Sequence, residues 1–274
     1  MTSVFDRPLS DVFLIISGTT LLRYLFFAGF AYVAVWIVLR SRLLHRRIQK
    51  SFPKAKHLRR EIGYSLLTVL IFASVGVGMH MAQKAGYTLM YSDFHEYGWG
   101  YFFFSLAALI VLHDAYFYWA HRLMHHPKIF ARVHLVHHKS TDPSPWAALA
   151  FHPFEAVLEA GILPMAVMLF PLHVYTLLAF LGFMMFLNVL GHLGFELYPK
   201  GFTKSPLMGW NNTATHHNMH HRYFNYNYGL YFNWWDRIMG TNHPKYHETF
   251  ERITSTPLIG SGRTGSIEVA EEGA

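Results

Sequence analysis

Apolar residues gather into four long runs along the chain, separated by polar, basic or proline-bearing breaks. The first covers 21–39, with 11–20 as an amphipathic or partly inserted lead-in. A charge-free second run covers 62–82, and a third covers 99–120. About 20 apolar residues in an α-helix cross a bilayer core, so each run predicts a spanning helix. The fourth, 146–193, is longer and is broken by Pro164 and by Phe170-Pro171-Leu172-His173. That pattern predicts a helical hairpin that begins and ends on one side of the membrane. Glu155, Glu159 and Pro164 weaken its first arm, and the pattern leaves open whether that arm crosses completely. The fold class is therefore all-α and polytopic, with about four to five spanning helices or hairpin arms. Beyond 196 the chain is polar and aromatic, and from Ser261 it reads as a disordered tail.

Composition agrees: of 274 residues, 52% are hydrophobic and 14% charged, which disfavours one or two soluble domains. Nine of the 23 Lys and Arg lie within 40–60, between the first two runs. There a basic block reads as a cytoplasmic loop rather than a nucleic-acid surface. The next connection, 83–98, carries only Lys84, which puts that connection and the N-terminus outside. Arg23, near the outer end of the first run, reads as a snorkelling side chain without a functional role. The absence of cysteine excludes disulfides, thiolate metal sites and cysteine nucleophiles. The opening MTSVFDRPLSD lacks the basic segment and short apolar core of a cleavable signal.

Candidate chemistry rests on histidine. The stretch HRLMHHPKIFARVHLVHH, His121 to His138, holds six of the chain's 20 histidines. Its spacings are H-x-x-x-H (His121, His125) and H-x-x-H-H (His134, His137, His138), and the second recurs as His217, His220 and His221. Neutral imidazole suits iron, copper, zinc and nickel. At about 100° per residue, Asp114, Tyr118, His121 and His125 share one helical face. His121 and His125 can ligate together, with Asp114 and Tyr118 placed to orient an imidazole through its far nitrogen. Each H-x-x-H-H triplet also shares one helical side. With His192, returned by the hairpin's second arm, there are nine candidates, too many for one four-coordinate ion, which suggests two metals. Asn188, one turn before His192, could complete a coordination sphere directly or through water. His216 is a secondary candidate beside His217. His113, His126 and the isolated His45, His57, His80, His95, His173, His243 and His247 read as structural. The spaced groups and His192 all fall on the side that Lys and Arg counts make cytoplasmic, which scattered structural histidines have no reason to do.

Other signals are weak. A G-x-G-x-x-G match at Gly260 lies in the tail with no preceding strand. Neither H-E-x-x-H nor any Glu-x-x-His pair occurs. No flavin, nicotinamide or haem fingerprint is present, so reducing electrons would come from another protein. The aromatic run from Tyr223 to Trp235 reads as an interfacial belt.

Taken together, H-D-x-x-F/Y-Y-W-x-H-R-x-x-H (His113 to His125), H-x-x-H-H-K (His134 to Lys139), F-H-P-x-E (Phe151 to Glu155), G-H-x-G-x-E (Gly191 to Glu196) and H-H-x-x-H-H (His216 to His221) resemble the fatty acid hydroxylase/sterol desaturase superfamily of membrane di-iron oxygenases. The ending from Asn225 to Thr241 looks most like its sterol C5-desaturase (lathosterol oxidase) branch. The resemblance implies a four-helix transmembrane scaffold with a cytosolic histidine cap. It implies two irons, O2 as co-substrate, and electrons from a b-type cytochrome or ferredoxin with its reductase. The ligands would be His121, His125, His134, His137, His138, His192, His217, His220 and His221, with no catalytic side chain beyond them. Fatty acid hydroxylases have a histidine where Asn188 stands, a position that His216 or a water would fill. Asp114, Tyr118, His152, Glu155, Glu196 and Asp236 are further candidates around the ligands. The catalytic part would be 113–241, after a transmembrane region 1–112 and before a polar tail 242–274. The host is a bacterial inner membrane or the endoplasmic reticulum, and the implied reaction is desaturation or hydroxylation of a sterol-type lipid. Rival readings are a fatty acyl, carotenoid or alkylglycerol hydroxylase and, more remotely, a membrane metal transporter.

Overall fold

In the computed structural model, which describes residues 7–256, helices dominate; the tail from Ser261 and the Gly260 motif lie outside those residues. Four helices are long and apolar enough to cross a membrane: α1 (Leu9–Val38), α3 (Ala55–Lys84), α4 (Gly98–Met124) and α9 (Val174–Gly191). Large apolar side chains such as Leu22, Phe30 and Phe104 point outward from them. Helices apolar on their outer faces belong in lipid.

α1 differs from the hydropathy reading. The lead-in 11–20 is continuous with the span, because its one charge, Asp11, sits in the first turn. The helix then passes through π-helical turns at Leu25–Gly29 and Tyr32–Val38. The Trp146 ring packs there against Gly29, 3.5 Å from where a Cβ would stand. Lengthening α1 moves Arg23 to its middle, fourteen residues after Leu9 and fifteen before Val38. It is not at the outer end.

The short α2 (Arg40–Leu43) precedes α3. α4 extends past 120, so His121 lies in its last turn and His125 caps it. His126 and Pro127 break the chain into α5 (Pro127–Val133), and α6 (Leu135–His138) follows at once. The hairpin's first arm is two eight-residue helices, α7 (Pro153–Ala160) and α8 (Ile162–Leu169). Pro164 explains the break: it has no N–H, and its ring presses on the carbonyl of residue 160. Each piece is only about 12 Å long. Together they run the length of the bundle, because β2 (Leu172–His173) pairs in parallel with β1 (Met90–Tyr91), between the ends of α3 and α4 remote from His121. α9 then returns, with His173 capping its N-terminus. α10 (Ala214–Tyr223), α11 (Trp234–Ile238) and α12 (Tyr246–Ile253) complete a cap at the histidine end.

Part of the basic stretch 40–60 is built into that cap rather than forming a free loop. Arg46 and Arg47 are buried. Arg47 Nη1 donates to Gly194 O at 2.6 Å and Nη2 to Asp142 Oδ2 at 2.6 Å. Its guanidinium lies over the rings of Trp36, Phe52 and Phe195. Gly194 adopts a φ of 73°. A Cβ there would collide with Arg47 Nη1, so only glycine fits.

Candidate metal centre

The eight spaced histidines and His192 converge where α4, α6, α9 and α10 meet, and they sort into two groups. His121, His125, His134, His138 and His220 form one; His137, His192, His217 and His221 form the other; within each, the nearest nitrogens lie within 4.8 Å of one another. The division cuts through both H-x-x-H-H triplets. His134 and His138, four residues apart, turn one way and His137 the other. On α10, His217 and His221 face one group and His220 the other.

The Nε2 atoms point inward. Those of His121 and His134, of His125 and His138, and of His138 and His220 are each 3.0 Å apart. In the second group His192 lies 3.0 Å from His217 and 3.4 Å from His137, and His217 lies 3.1 Å from His221. Around an ion with bonds of about 2.1 Å, nitrogens at right angles are about 3.0 Å apart and tetrahedral ones about 3.4 Å.

The far nitrogens set the tautomers. His121 Nδ1 donates to Tyr228 O at 2.8 Å, His192 Nδ1 to Asn188 O at 2.8 Å, and His220 Nδ1 to Tyr226 O at 2.6 Å. His134 Nδ1 donates to Glu155 Oε1 at 2.7 Å. Carbonyls accept only, so the ring proton sits on Nδ1 and the Nε2 lone pair faces the group. The Nε2 lone pairs of His121 and His134 thus oppose each other at 3.0 Å. That contact is unfavourable alone and favourable around a shared cation. Burial, reinforced by neighbouring imidazoles, holds His134, His137, His138, His217, His220 and His221 well below their ordinary pKa. Burial lowers His192 to about 4 and His125 to about 2. Neutral imidazoles are ready donors.

Phenylalanines wall the site. Phe117 lies 5.0 Å from the His121 ring, Phe130 5.2 Å from His125 and Phe151 5.3 Å from His137. Phe224 lies 4.8 Å from His138 and has a φ of 66°. Asn227 also has positive φ. These two turns bend the chain so that the carbonyls of Tyr226 and Tyr228 reach His220 and His121.

The remaining candidates occupy different places. Asp114 Oδ1 accepts from Tyr231 N and Phe232 N, and the Tyr118 hydroxyl meets Thr241 Oγ1 at 3.0 Å; neither orients an imidazole directly. The carboxylate of Asp236 accepts from Tyr228 N, Gly229 N and Thr241 Oγ1. Asp114 and Asp236 thereby pull the aromatic run inward, burying Tyr228, Tyr231 and Phe232. The middle of the run, Tyr228 to Phe232, is thus built into the cap beside the site, whereas Tyr223 is exposed and Trp234 and Trp235 are half-buried. Glu196 accepts from Thr215 N and Oγ1 at the start of α10, and burial holds its carboxyl above the ordinary range against those bonds. His216 turns away, toward Asn242 Oδ1 at 3.2 Å and Asp236 Oδ2 at 3.6 Å. The Asn188 amide donates to Ala148 O, so its backbone carbonyl, not its side chain, serves His192. His152 caps α7. Sequence reading missed Tyr226 and Tyr228, whose backbone oxygens carry no residue-type signal.

Between the spans, an apolar cavity of about 410 Å³ reaches this site at Leu149, Phe151 and Asn188.

Fold and site define a class: a polytopic helical membrane protein with a paired, all-histidine donor constellation in a buried cap. The chain belongs to the fatty acid hydroxylase family, whose profile matches residues 106–241, on its sterol desaturase branch. It is 34% identical over 189 residues to a Delta(7)-sterol 5(6)-desaturase of Gibberella zeae, covering 68% of this chain and 56% of that protein. A Delta(7)-sterol 5(6)-desaturase of Schizosaccharomyces pombe is 33% identical over 247 residues, 89% of this chain and 70% of that one. Lathosterol oxidase of Homo sapiens is 31% identical over 186 residues, 67% and 60% respectively. The chain spans less than two thirds of the Gibberella zeae and Homo sapiens relatives. No solved structure matches it significantly.

The donors fit iron. Five nitrogens in one group exceed the four of tetrahedral zinc, and neutral imidazoles without thiolate suit a borderline divalent ion.

Proposed function

We propose that the protein is an integral-membrane oxidoreductase that uses two irons and O2 to desaturate a sterol-type lipid. The observation that carries this reading is the position of two converging imidazole groups at the end of an apolar cavity between membrane spans. His121, His125, His134, His138 and His220 would hold one iron, and His137, His192, His217 and His221 the other. Bound iron supplies the O2 activation that oxidising an unactivated C–H bond requires and that no side chain provides. The chain's own part is to keep the imidazoles neutral, aim their Nε2 atoms, exclude water with Phe117, Phe130 and Phe151, and place a lipid carbon against them.

Electrons would come from a b-type cytochrome or ferredoxin with its reductase. The basic stretch 40–60 and the histidine cap lie at one end of the bundle, joined by Arg47–Asp142 and Arg60–Ser140 contacts, which supports a cytoplasmic site in the endoplasmic reticulum or a bacterial inner membrane. Residues 113–241 would carry the chemistry, with 1–112 as membrane scaffold and 242–274 as an appended polar segment. The transporter reading finds no support in ligands gathered at one end rather than strung along a path.

The test is lipid analysis of cells with and without the protein, alongside iron content of the purified chain. Loss of two hydrogens from a sterol supports desaturation, and gain of one oxygen would make it a hydroxylase. Fully iron-loaded protein with a competent donor that alters no lipid would sink the reading.

A further inference from the structure

Asp114 is a carboxyl group inside a membrane span, and such a group is costly there unless it does something. It lies ten residues before Met124, the end of α4, and about 9 Å inside the edge of the apolar run 99–120. Its Oδ1 accepts from Tyr231 N and Phe232 N, both at 3.1 Å. The non-helical backbone at 231–232 therefore lies at membrane depth. A second marker agrees. The Tyr231 ring lies 5.4 Å from that of His113 on α4 and 5.1 Å from that of Phe183 on α9. Phe183 is eight residues, or about 12 Å, before the end of α9. Irregular backbone persists at such depth only where protein groups take up its N–H donors, and Asp114 takes up two. The flanking helices α10 and α12 both belong to the cap, with the Tyr246 ring 5.0 Å from that of His216. The chain between them thus dips among the spans and returns on the same side.

The outer side of this dip is apolar and uncovered. Ile238 is 72% exposed and Leu207 78%, more than Leu22 or Phe30 on the outer faces of the spans, and Met208 and Met239 beside them are exposed too. The two tips are tied together. Arg237 Nη2 donates to Gly209 O at 2.6 Å, Asn233 Nδ2 donates to the same oxygen at 3.1 Å, and the Trp210 and Trp234 rings stack at 5.3 Å. The Trp235 ring lies 5.6 Å from that of Trp119, an exposed residue just inside the end of the α4 apolar run. Asn211 and Asn212 line a small pocket with Leu187 and Leu190 near the end of α9. Both tips thus sit where α4 and α9 leave the bilayer. The stretches 197–213 and 228–240 carry exposed Lys200, Lys204 and Arg237 and a single carboxylate, Asp236, which is buried. Apolar tips with a basic, tryptophan-bearing collar suit the acyl chains and phosphates of a leaflet.

We propose that residues 228–239 and the 205–210 turn form a foot of the cap that stands in the leaflet at the histidine end, held between α4 and α9 by Asp114. Leu207, Met208, Ile238 and Met239 contact acyl chains. The same segment supplies Tyr228 O to His121 and Leu230 to the cavity wall. The site is therefore closed on this side by a piece of chain that rests in lipid. The foot depends on the spans alone and not on the oxidation chemistry proposed above.

The chain has no cysteine, so Leu207→Cys and Ile238→Cys can each carry a single nitroxide label. Leu22→Cys on α1 and Lys128→Cys on α5 serve as references for span and cap. Power saturation measures how often each label collides with O2, which partitions into hydrocarbon, and with a water-soluble nickel complex. The sample is the full-length protein in nanodiscs of phosphatidylcholine and phosphatidylglycerol. The O2-to-nickel ratio at the Leu207 and Ile238 positions is expected to match that at Leu22 and to exceed that at Lys128. A water-type ratio at either tip overturns the proposal. Protection from both reagents also overturns it, because a protein partner or a second copy then covers the tips. Asp114→Leu removes the acceptor of two backbone N–H groups and should shift the ratio at Ile238 toward that at Lys128. Asp114→Asn, whose amide oxygen still accepts, should not. An unshifted ratio in the leucine variant overturns the anchoring by Asp114, and if that variant does not insert, the labels in the otherwise unaltered chain still decide the lipid contact. Lipid oxidation is read separately on the unlabelled chain, so either proposal can fail alone.

Discussion

Glu155 Oε1 accepts from His134 Nδ1 at 2.7 Å, with both side chains almost wholly buried. The bond fixes the proton on the far nitrogen and aims Nε2 at the Nε2 of His121. Glu155→Ala is expected to weaken iron binding about 10- to 100-fold, and Glu155→Gln less, since its oxygen still accepts. Iron retained after dialysis against a chelator measures both. Wild-type retention by the alanine variant would take Glu155 out of the site.

His137 and His220 belong to different groups. Alanine at either position should remove about half of the bound iron, by depriving one ion of a ligand, and should end turnover. Both residues lie in the cap, so membrane insertion should survive. Metal stoichiometry on purified, membrane-extracted protein checks this, and turnover by a metal-quantified variant would count strongly against the ligand assignment.

Arg47 is the cap's anchor to the membrane helices. Arg47→Met leaves the Asp142 carboxylate buried without its cation, which should cost about 3 kcal/mol. The expected readout is a lower melting temperature in detergent. Gly194→Ala should destabilise by a separate route, through its positive φ and the collision with the same guanidinium. A melting point unchanged in both would mean that the cap is held elsewhere.

Acid should loosen the metal-free protein. Burial takes His192 from an ordinary 6.5 down to about 4. Because the folded value lies below the unfolded one, the unfolded chain takes up protons first as pH falls. Its contribution to stability is therefore complete above about pH 6.5 and declines toward about pH 4. His125, lowered to about 2, acts in the same direction. Thermal melts of metal-free protein between about pH 8 and about pH 4.5 should show that fall, and a flat profile would contradict it.

Much of this was legible in the sequence because hydropathy and histidine spacing are local signals. The spans at 62–82 and 99–120 lie inside α3 and α4, and the eight histidines named from spacing come together with His192, named from the returning arm. What local pattern does not carry is tertiary. The H-x-x-H-H triplets read as single faces, yet in each the first and third histidines, four residues apart, serve one group and the middle one serves the other. Asp114 and Tyr118 share a helical face with His121 but spend their bonds on the 231–232 backbone and on Thr241. The acceptors for His121 and His220 are backbone oxygens, invisible in side-chain chemistry. Arg23 was misplaced because a single charge in 11–20 made the span look shorter than it is.

The division of the triplets also dictates an order of assembly. Both histidine groups draw on α10, and His220 meets His138 across 82 positions of chain. During synthesis α1, α3, α4 and α9 all leave the ribosome before α10 does, so neither group can be finished until the last membrane helix is in place. On the proposed two-iron reading, iron uptake would be a closing event in biogenesis, and a chain truncated before 214 would insert and yet lack His217, His220 and His221, on which both groups draw.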